Sequence, residues 1–103
     1  MIVAYSSVRI ADRAAENEFL AALRTRSRQV DRFPGFVRYE LRRDARCRHR
    51  YVIATWWQSR ADLQRYLASP EHRQTHARLS AATRSLIDGP RIEVHEVLDA
   101  SAR

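Results

Sequence analysis

The sequence contains no lysine, and all nineteen of its basic residues are arginine. Against twelve acidic residues they give a formal net charge of +7, which favours anionic partners without choosing among them. Cys47 is the only cysteine, so no intramolecular disulfide can form. No run of about 18 apolar residues occurs, and the N-terminal segment lacks the pattern of a signal peptide. We therefore expect a cytoplasmic protein without a membrane span.

Glycine is also scarce, with two residues, and neither stands in a Gly-rich loop of the kind that binds dinucleotide phosphates. The chain therefore gives no indication of a flavin or nicotinamide site. Its 103 residues are 45% hydrophobic and 30% charged, which is typical of one folded domain. We expect a single domain over residues 1–99, followed by a polar tail over residues 100–103.

The hydrophobic pattern predicts alternating strands and amphipathic helices. Strands are expected over residues 1–10, 36–42, 50–57 and 92–98. Helices are expected from the cap Asp12 to the turn at 33–35, from the cap Ser59 to Leu67, and over 70–87. Asp88-Gly89-Pro90 is predicted to stop the last of them. The order predicts an α+β fold of the ferredoxin-like βαββαβ type, with an antiparallel sheet covered by helices on one side.

The first and third strands carry large apolar side chains on both faces. Side chains alternate between the two faces of a strand, so Tyr5 points to the face away from Ile2, and Trp56 points to the face away from Trp57. Helices cover only one face, so the other would expose an apolar patch. Since symmetric dimers are the commonest oligomers, we expect a homodimer through this sheet face.

Four segments carry a resemblance to a known family. They are Phe33-Pro34-Gly35-Phe36, Trp57-Gln58-Ser59, the segment 66–72 (YLASPEH) and the segment 92–98 (IEVHEVL). With these segments the chain resembles the antibiotic biosynthesis monooxygenase (ABM) superfamily of dimeric α+β barrels, which also contains small heme-degrading monooxygenases. The resemblance implies O2-dependent oxidation of a bulky conjugated, aromatic polyketide-like molecule without flavin or nicotinamide, and so no cofactor.

The heme-degrading branch offers an alternative function. Ser7, Tyr66 and His76 stand at the positions where that branch has an asparagine, a tryptophan and the heme-ligating histidine. The resemblance therefore implies heme as the alternative cofactor, with His76 as its axial ligand. In the antibiotic-biosynthesis branch Trp57 matches a characteristic tryptophan, whereas the asparagine expected four residues earlier falls on Ile53.

These matches and the helical spacing define the candidate site. The expected catalytic residues are His76, Ser7 and Tyr66, and the expected substrate-binding residues are Trp57, Phe19, Tyr66 and His72. A neutral imidazole can exchange a proton near pH 7, an aromatic wall suits a planar ligand, and a serine can orient an oxygen atom. The competing interpretation is that the histidine and the tryptophans are core residues. His72 and His76 have the i, i+4 spacing of a metal site, but no third ligand is apparent, so we expect no metal.

The arginines between residues 42 and 50 leave a third hypothesis, a non-catalytic module that binds a ligand or RNA. Residues 32–39 (RFPGFVRY) are similar to part of an RNA-recognition signature. That signature belongs on the third strand of its fold, whereas these residues begin the second. Nucleic acid is therefore not the expected partner, and a small molecule is.

Overall fold

The computed structural model describes the backbone of the chain and the side chains of residues 1–25, 29–74 and 78–103. Its elements, in chain order, are β1 (Ile2–Ile10), α1 (Arg13–Val30), β2 (Phe36–Arg43), β3 (Arg50–Trp57), α2 (Arg60–Leu67), α3 (Pro70–Ala77), α4 (Ala81–Ser85) and β4 (Ile87–Glu96). Over the described residues, no helix is both long and apolar enough to cross a membrane.

The four strands form one sheet in the order β2-β3-β1-β4, and every neighbouring pair is antiparallel. The helices pack on one face of this sheet, which confirms the predicted α+β ferredoxin-like fold. In the register of the sheet Ile2 lies opposite Trp57 and Ser6 lies opposite Ile53. The even-numbered residues of β1 and the odd-numbered residues of β3 therefore share the helix-facing side.

Short side-chain caps start the first two helices where the sequence predicts them. The Asp12 carboxylate accepts a hydrogen bond from the Ala15 N–H at 2.8 Å at the start of α1. At the start of α2 the Ser59 hydroxyl accepts from the Asp62 N–H and donates to the Asp62 carboxylate. These bonds satisfy backbone donors that a helix N-terminus leaves without partners, so the predicted starts of both helices are confirmed.

The prediction of one helix over residues 70–87 is wrong. The helix α3 ends at Ala77, and α4 begins only after Ser80, whose hydroxyl accepts from the Thr83 N–H at 3.1 Å. The four-three spacing of apolar residues runs through both pieces, but this second cap starts a new helix. The carboxylate of Glu18 in α1 also binds Ser80, which fixes the break against the first helix.

The segment Asp88-Gly89-Pro90 lies inside β4 and does not precede it, which is a second correction. The register between β1 and β4 shifts between Ser7 and Arg9. Gly89 has a φ of +121° there, and a Cβ atom on it would stand 2.8 Å from the Ser7 carbonyl oxygen. The sheet thus absorbs the three residues as an irregularity, since glycine tolerates both the angle and the close approach.

The core on the helix-facing side consists of two clusters of buried residues. The first contains Val8, Ile10, Ala15, Phe19, Leu23, Tyr51, Ile53 and Leu79. The second contains Ile2, Val30, Trp57, Leu63 and Tyr66. The two clusters bury opposite ends of the sheet.

Candidate active site between the sheet and the helices

A cavity of about 330 Å³ lies between the two core clusters. The sequence creates it on β1, where the helix-facing positions change from a large residue, Ile2, to the small residues Ala4 and Ser6 and back to Val8. Ala4 and Ser6 both line the cavity. Small side chains in the centre of the face leave a gap between the sheet and the helices, while large side chains at both ends pack the two layers against each other.

The mouth of the cavity opens at the β4 edge of the sheet. Three of its apolar lining residues remain exposed, Leu67 by 43%, Ile92 by 64% and Val94 by 37% of their surface. Ile92 and Val94 pair with Ser6 and Ala4 and therefore face the helix side, and although α4 contacts β4, both side chains remain exposed. An apolar molecule can thus enter without any helix being displaced.

Tyr66 forms the aromatic wall of the cavity and is 2% exposed. Its ring centroid lies 5.1 Å from that of Trp57, 5.2 Å from that of Phe33 and 5.3 Å from that of His72. The contacts with Phe33 and His72 are edge-to-face, which is a favoured geometry for aromatic pairs. The tyrosine ring is therefore held in one orientation by rings on three sides.

Trp57 lies behind this wall and not on it. Its side chain is fully buried, and it is not among the described residues that line the cavity. Its indole N–H donates to the Thr55 hydroxyl at 2.9 Å, and both Thr55 and Tyr66 do line the cavity. Trp57 therefore supports two lining residues without reaching the cavity itself.

The structure brings three of the predicted site residues together and separates a fourth. Phe19, Tyr66 and His72 all line the cavity. Ser7 lies on the opposite face of the sheet, in a polar cleft of about 390 Å³ that also contains Arg9 and Arg91. The separation follows from the strand geometry, since Ser6 and Ser7 are neighbours and must point to opposite sides.

His76 belongs to α3, but its side chain lies outside the described residues, so its predicted role stays a prediction. His72 is the one imidazole among the described residues that line the cavity. The backbone N–H of His72 is 3.3 Å from the Ser69 hydroxyl, which contributes to the cap of α3. Within residues 1–25, 29–74 and 78–103, no three histidine, cysteine or acidic side chains converge as metal ligands.

Arg84 is a cavity residue that the sequence analysis missed, and it is the only arginine, lysine, aspartate or glutamate among the described lining residues. An unbroken helix to residue 87, as predicted, has an inward face that does not include residue 84. The restart of the chain at Ser80 changes which residues of α4 face the cavity. The sequence does indicate the cavity itself, through the small residues Ala4 and Ser6 on β1.

The outer face of the sheet is less apolar than alternation alone predicts. The guanidinium carbons of Arg38 and Arg42 lie 5.5 and 5.7 Å from the ring centroid of Trp56, and that of Arg42 lies 5.7 Å from the ring centroid of Tyr5. Glu40 forms ion pairs with both arginines. Its hydrogen bonds from Arg38, and then from Arg42, hold the pKa of the carboxyl below its ordinary value.

The comparisons with known proteins identify the family. The model of the family described as antibiotic biosynthesis monooxygenase matches residues 1–78, which is more than half of the chain. The chain therefore belongs to the antibiotic biosynthesis monooxygenase family, as the resemblance of its motifs predicted. A search of the curated proteins found no significant match.

Solved structures share the fold at low sequence identity. SnoaB from Streptomyces nogalater, a cofactor-independent oxygenase, has a TM-score of 0.78 at 21% identity, with 96% of this chain and 94% of that chain covered. Rv0793 from Mycobacterium tuberculosis has a TM-score of 0.79 at 19% identity, with coverages of 99% and 100%. A Deinococcus radiodurans protein assigned to the antibiotic biosynthesis monooxygenases has a TM-score of 0.81 at 16% identity, with coverages of 100% and 98%.

Proposed function

We propose that this protein uses O2 to oxidise a bulky conjugated small molecule held between the sheet and the helices, without flavin or nicotinamide. The cavity walled by Phe19, Tyr66 and His72, with Arg84 beside them, is the observation that carries the proposal. Membership of a monooxygenase family supports the reaction class. The cofactor-independent SnoaB, which has the same fold, supports a reaction that draws its electrons from the substrate.

The composition of the cavity wall favours a planar, mostly apolar ligand. Aromatic and aliphatic side chains dominate the lining, and the buried Tyr66 ring presents a fixed surface. The few polar lining groups include Ser6, Thr55 and His72. A ligand with a conjugated ring system would pack against the apolar side chains, and a few oxygen substituents on it would bond to the polar ones.

The residues divide the chemistry between binding and proton transfer. Arg84 stabilises negative charge on an oxygen of the ligand, which makes the electron-rich anion easier to form. The imidazole of His72 accepts the proton that the ligand loses, and His76 remains the alternative base that the sequence predicts. The anion then transfers electrons to O2, and the conjugated substrate is the reductant.

A model substrate makes the balance explicit. One molecule of 1,8-dihydroxyanthrone and one of O2 give one molecule of 1,8-dihydroxyanthraquinone and one of water. The methylene carbon loses two hydrogens and gains one oxygen atom as a carbonyl group. The second oxygen atom leaves as water with those two hydrogens, so no external reductant is required.

The test is the rate of quinone formation and of O2 consumption from this anthrone, above its spontaneous oxidation. We expect the wild type to accelerate the reaction and His72→Ala to lower the rate by about 100-fold, the loss typical of a removed general base. The variant Ser7→Ala, on the other face of the sheet, serves as the control and should keep the wild-type rate. No acceleration by the wild type would overturn the proposal.

A titration with hemin separates this function from heme chemistry. Under the proposal, hemin produces no Soret band that depends on His76. A band that His76→Ala abolishes would contradict the cofactor-free reaction and would favour heme ligation by this histidine.

We further propose a homodimer in which a second copy covers the outer sheet face. Tyr5 and Trp56 lie half-buried at the centre of this face, where guanidinium groups cover only part of the rings. The face carries both arginines and acids such as Glu93, so two copies related by a two-fold axis can pair opposite charges. Light scattering on the purified protein tests it, and a monomer at all concentrations would contradict it.

A further inference from the structure

We infer that Glu18, on α1, is the positioning residue that fixes α4 and thereby holds Arg84 at the cavity. The inference rests on the proposed function, because it concerns how the same site recognises a negatively charged ligand. Glu18 does not line the cavity and would act only through Arg84.

Among the described residues, the hydrogen bonds of the Glu18 carboxylate all come from the start of α4. Its carboxylate accepts a hydrogen bond from the Ser80 N–H at 2.6 Å and one from the Ser80 hydroxyl at 3.1 Å. The Thr83 hydroxyl donates a third, short hydrogen bond to the same carboxylate. These bonds join residues more than 60 positions apart in the chain. The side chain of Glu18 therefore fastens the start of α4 to α1 by hydrogen bonds, in addition to the packing between the two helices.

A short helix depends on such an anchor. The helix α4 has five residues, far fewer than the roughly 12 to 15 that an isolated helix requires, and Thr83 is its buried residue. Arg84 follows Thr83 directly, so the direction of its side chain is set by how that threonine is held. Losing the anchor therefore leaves α4 held only by its packing against α1 and β4, so Arg84 is less firmly positioned over the cavity.

Few side chains near Glu18 compete with α4 for its carboxylate. The residues one turn away on α1, at i±3 and i±4, are Ala14, Ala15, Ala21 and Ala22, which offer it no charged or hydrogen-bonding side chain. Arg78 and Arg84 are the charged residues of the segment packed against it, and neither appears among the ion pairs of the described residues. The hydrogen bond from Thr83, followed by those from Ser80, lowers the pKa of Glu18.

Two fluorescent probes of the same shape test the inference. 1-Anilinonaphthalene-8-sulfonate carries a negative charge, and N-phenyl-1-naphthylamine has the same rings without it. We expect Arg84→Gln to weaken the binding of the sulfonate by about tenfold, as for a lost charge-assisted hydrogen bond, and to leave the neutral probe unchanged. Glu18→Ala should reproduce this selective loss, and Glu18→Gln, which keeps an acceptor oxygen, should restore part of the affinity.

The double variant Glu18→Ala/Arg84→Gln gives the sharpest result. If Glu18 acts through Arg84, adding Glu18→Ala to Arg84→Gln has no further effect on sulfonate binding. The variant Glu96→Ala removes a carboxylate from β4 and serves as the charge-matched control. Thr83→Val removes one of the three hydrogen bonds at constant shape, and it repeats the test if Glu18→Ala does not fold.

Two results overturn the inference. One is equal loss of both probes in Glu18→Ala, which would show a purely structural role. The other is unchanged binding of the sulfonate by all Glu18 variants. A wild type that binds neither probe would instead contradict the proposed function, so the two failures are distinguishable.

Discussion

The two faces of the sheet are built from the same alternating strands but present opposite chemistry. On the helix-facing side the centre consists of small residues, Ala4 and Ser6, between larger ones, and a cavity results. On the outer side the centre is filled by the aromatic rings of Tyr5 and Trp56, and arginines lie over them. One face therefore leaves room for a ligand, and the other presents a filled surface to a partner.

This difference shows that hydrophobicity alone does not locate a binding site in a layered domain. Both faces contain aromatic residues, and both Trp56 and Trp57 fit the pattern of a strand. Side-chain size along one face decides where the layers separate.

The adjacent tryptophans give the largest contrast. Trp57→Ala should lower the free energy of unfolding by about 3 to 5 kcal/mol, because it leaves a cavity in the core and removes the contact with Tyr66. Trp56→Ala should cost a monomer much less, because this side chain is only half-buried. Urea denaturation monitored by circular dichroism measures both, and equal losses would show that the two faces do not differ in packing.

Gly35 tests the turn that brings aromatic residues to the helix-facing side. It has a φ of +83°, and a Cβ atom there would lie 2.1 Å from the carboxyl carbon of Asp62. We expect Gly35→Ala to destabilise the protein by about 2 to 3 kcal/mol through backbone strain and this overlap. Thermal unfolding measures the effect, and a variant as stable as the wild type would contradict the turn geometry.

Neighbouring serines test which face binds the ligand. Ser6→Leu fills the cavity and should weaken the binding of 1-anilinonaphthalene-8-sulfonate by about 30-fold, equivalent to roughly 2 kcal/mol of lost contact. Ser7→Leu changes the outer cleft and should leave the affinity unchanged. Fluorescence titration distinguishes them, and the reverse order of effects would place the ligand on the outer face.

The dependence of stability on pH and salt gives the smallest effect. The pKa values of Glu18 and Glu40 are both lowered from 4.5 in the folded protein, so each stabilises the fold above that pH and loses its contribution as the pH falls through the lowered pKa. Neutral donors, Thr83 first, lower the pKa of Glu18, whereas Arg38 and Arg42 lower that of Glu40.

Salt should therefore separate the two carboxylates. We expect 0.5 M NaCl to reduce the difference in stability between the wild type and Glu40→Gln and to leave the difference for Glu18→Gln nearly unchanged. Urea denaturation at pH 6 and pH 3 measures both effects. Equal sensitivity to salt would contradict the assignment of neutral hydrogen bonds to Glu18.

Most of the fold is predictable from sequence because its signals are local. Alternation marks the strands, and side chains such as Asp12 and Ser59 mark the helix starts. Ser80 is a cap of the same local kind, but the apolar spacing continues through it, and the side chain that fixes the break against α1, Glu18, lies in a distant part of the chain. The position of Asp88-Gly89-Pro90 within β4 likewise depends on its pairing with β1.

The site was predictable only in part for the same reason. Phe19 and His72 line the cavity because the helical periodicity that singled them out also faces them toward the sheet, and Tyr66, chosen by its matching position in the family, lines the cavity too. Ser7 was chosen by its matching position in a family, although its neighbour Ser6 faces the cavity. Arg84 depends on the broken helix, through which the apolar spacing continues.

A crystal structure of the protein with 1,8-dihydroxyanthraquinone would show which face of the sheet binds the ligand. We expect the rings to lie between Phe19 and Tyr66, with an oxygen atom of the ligand directed toward Arg84. Rings stacked instead on Trp56 or Tyr5, on the outer face of the sheet, would contradict this expectation.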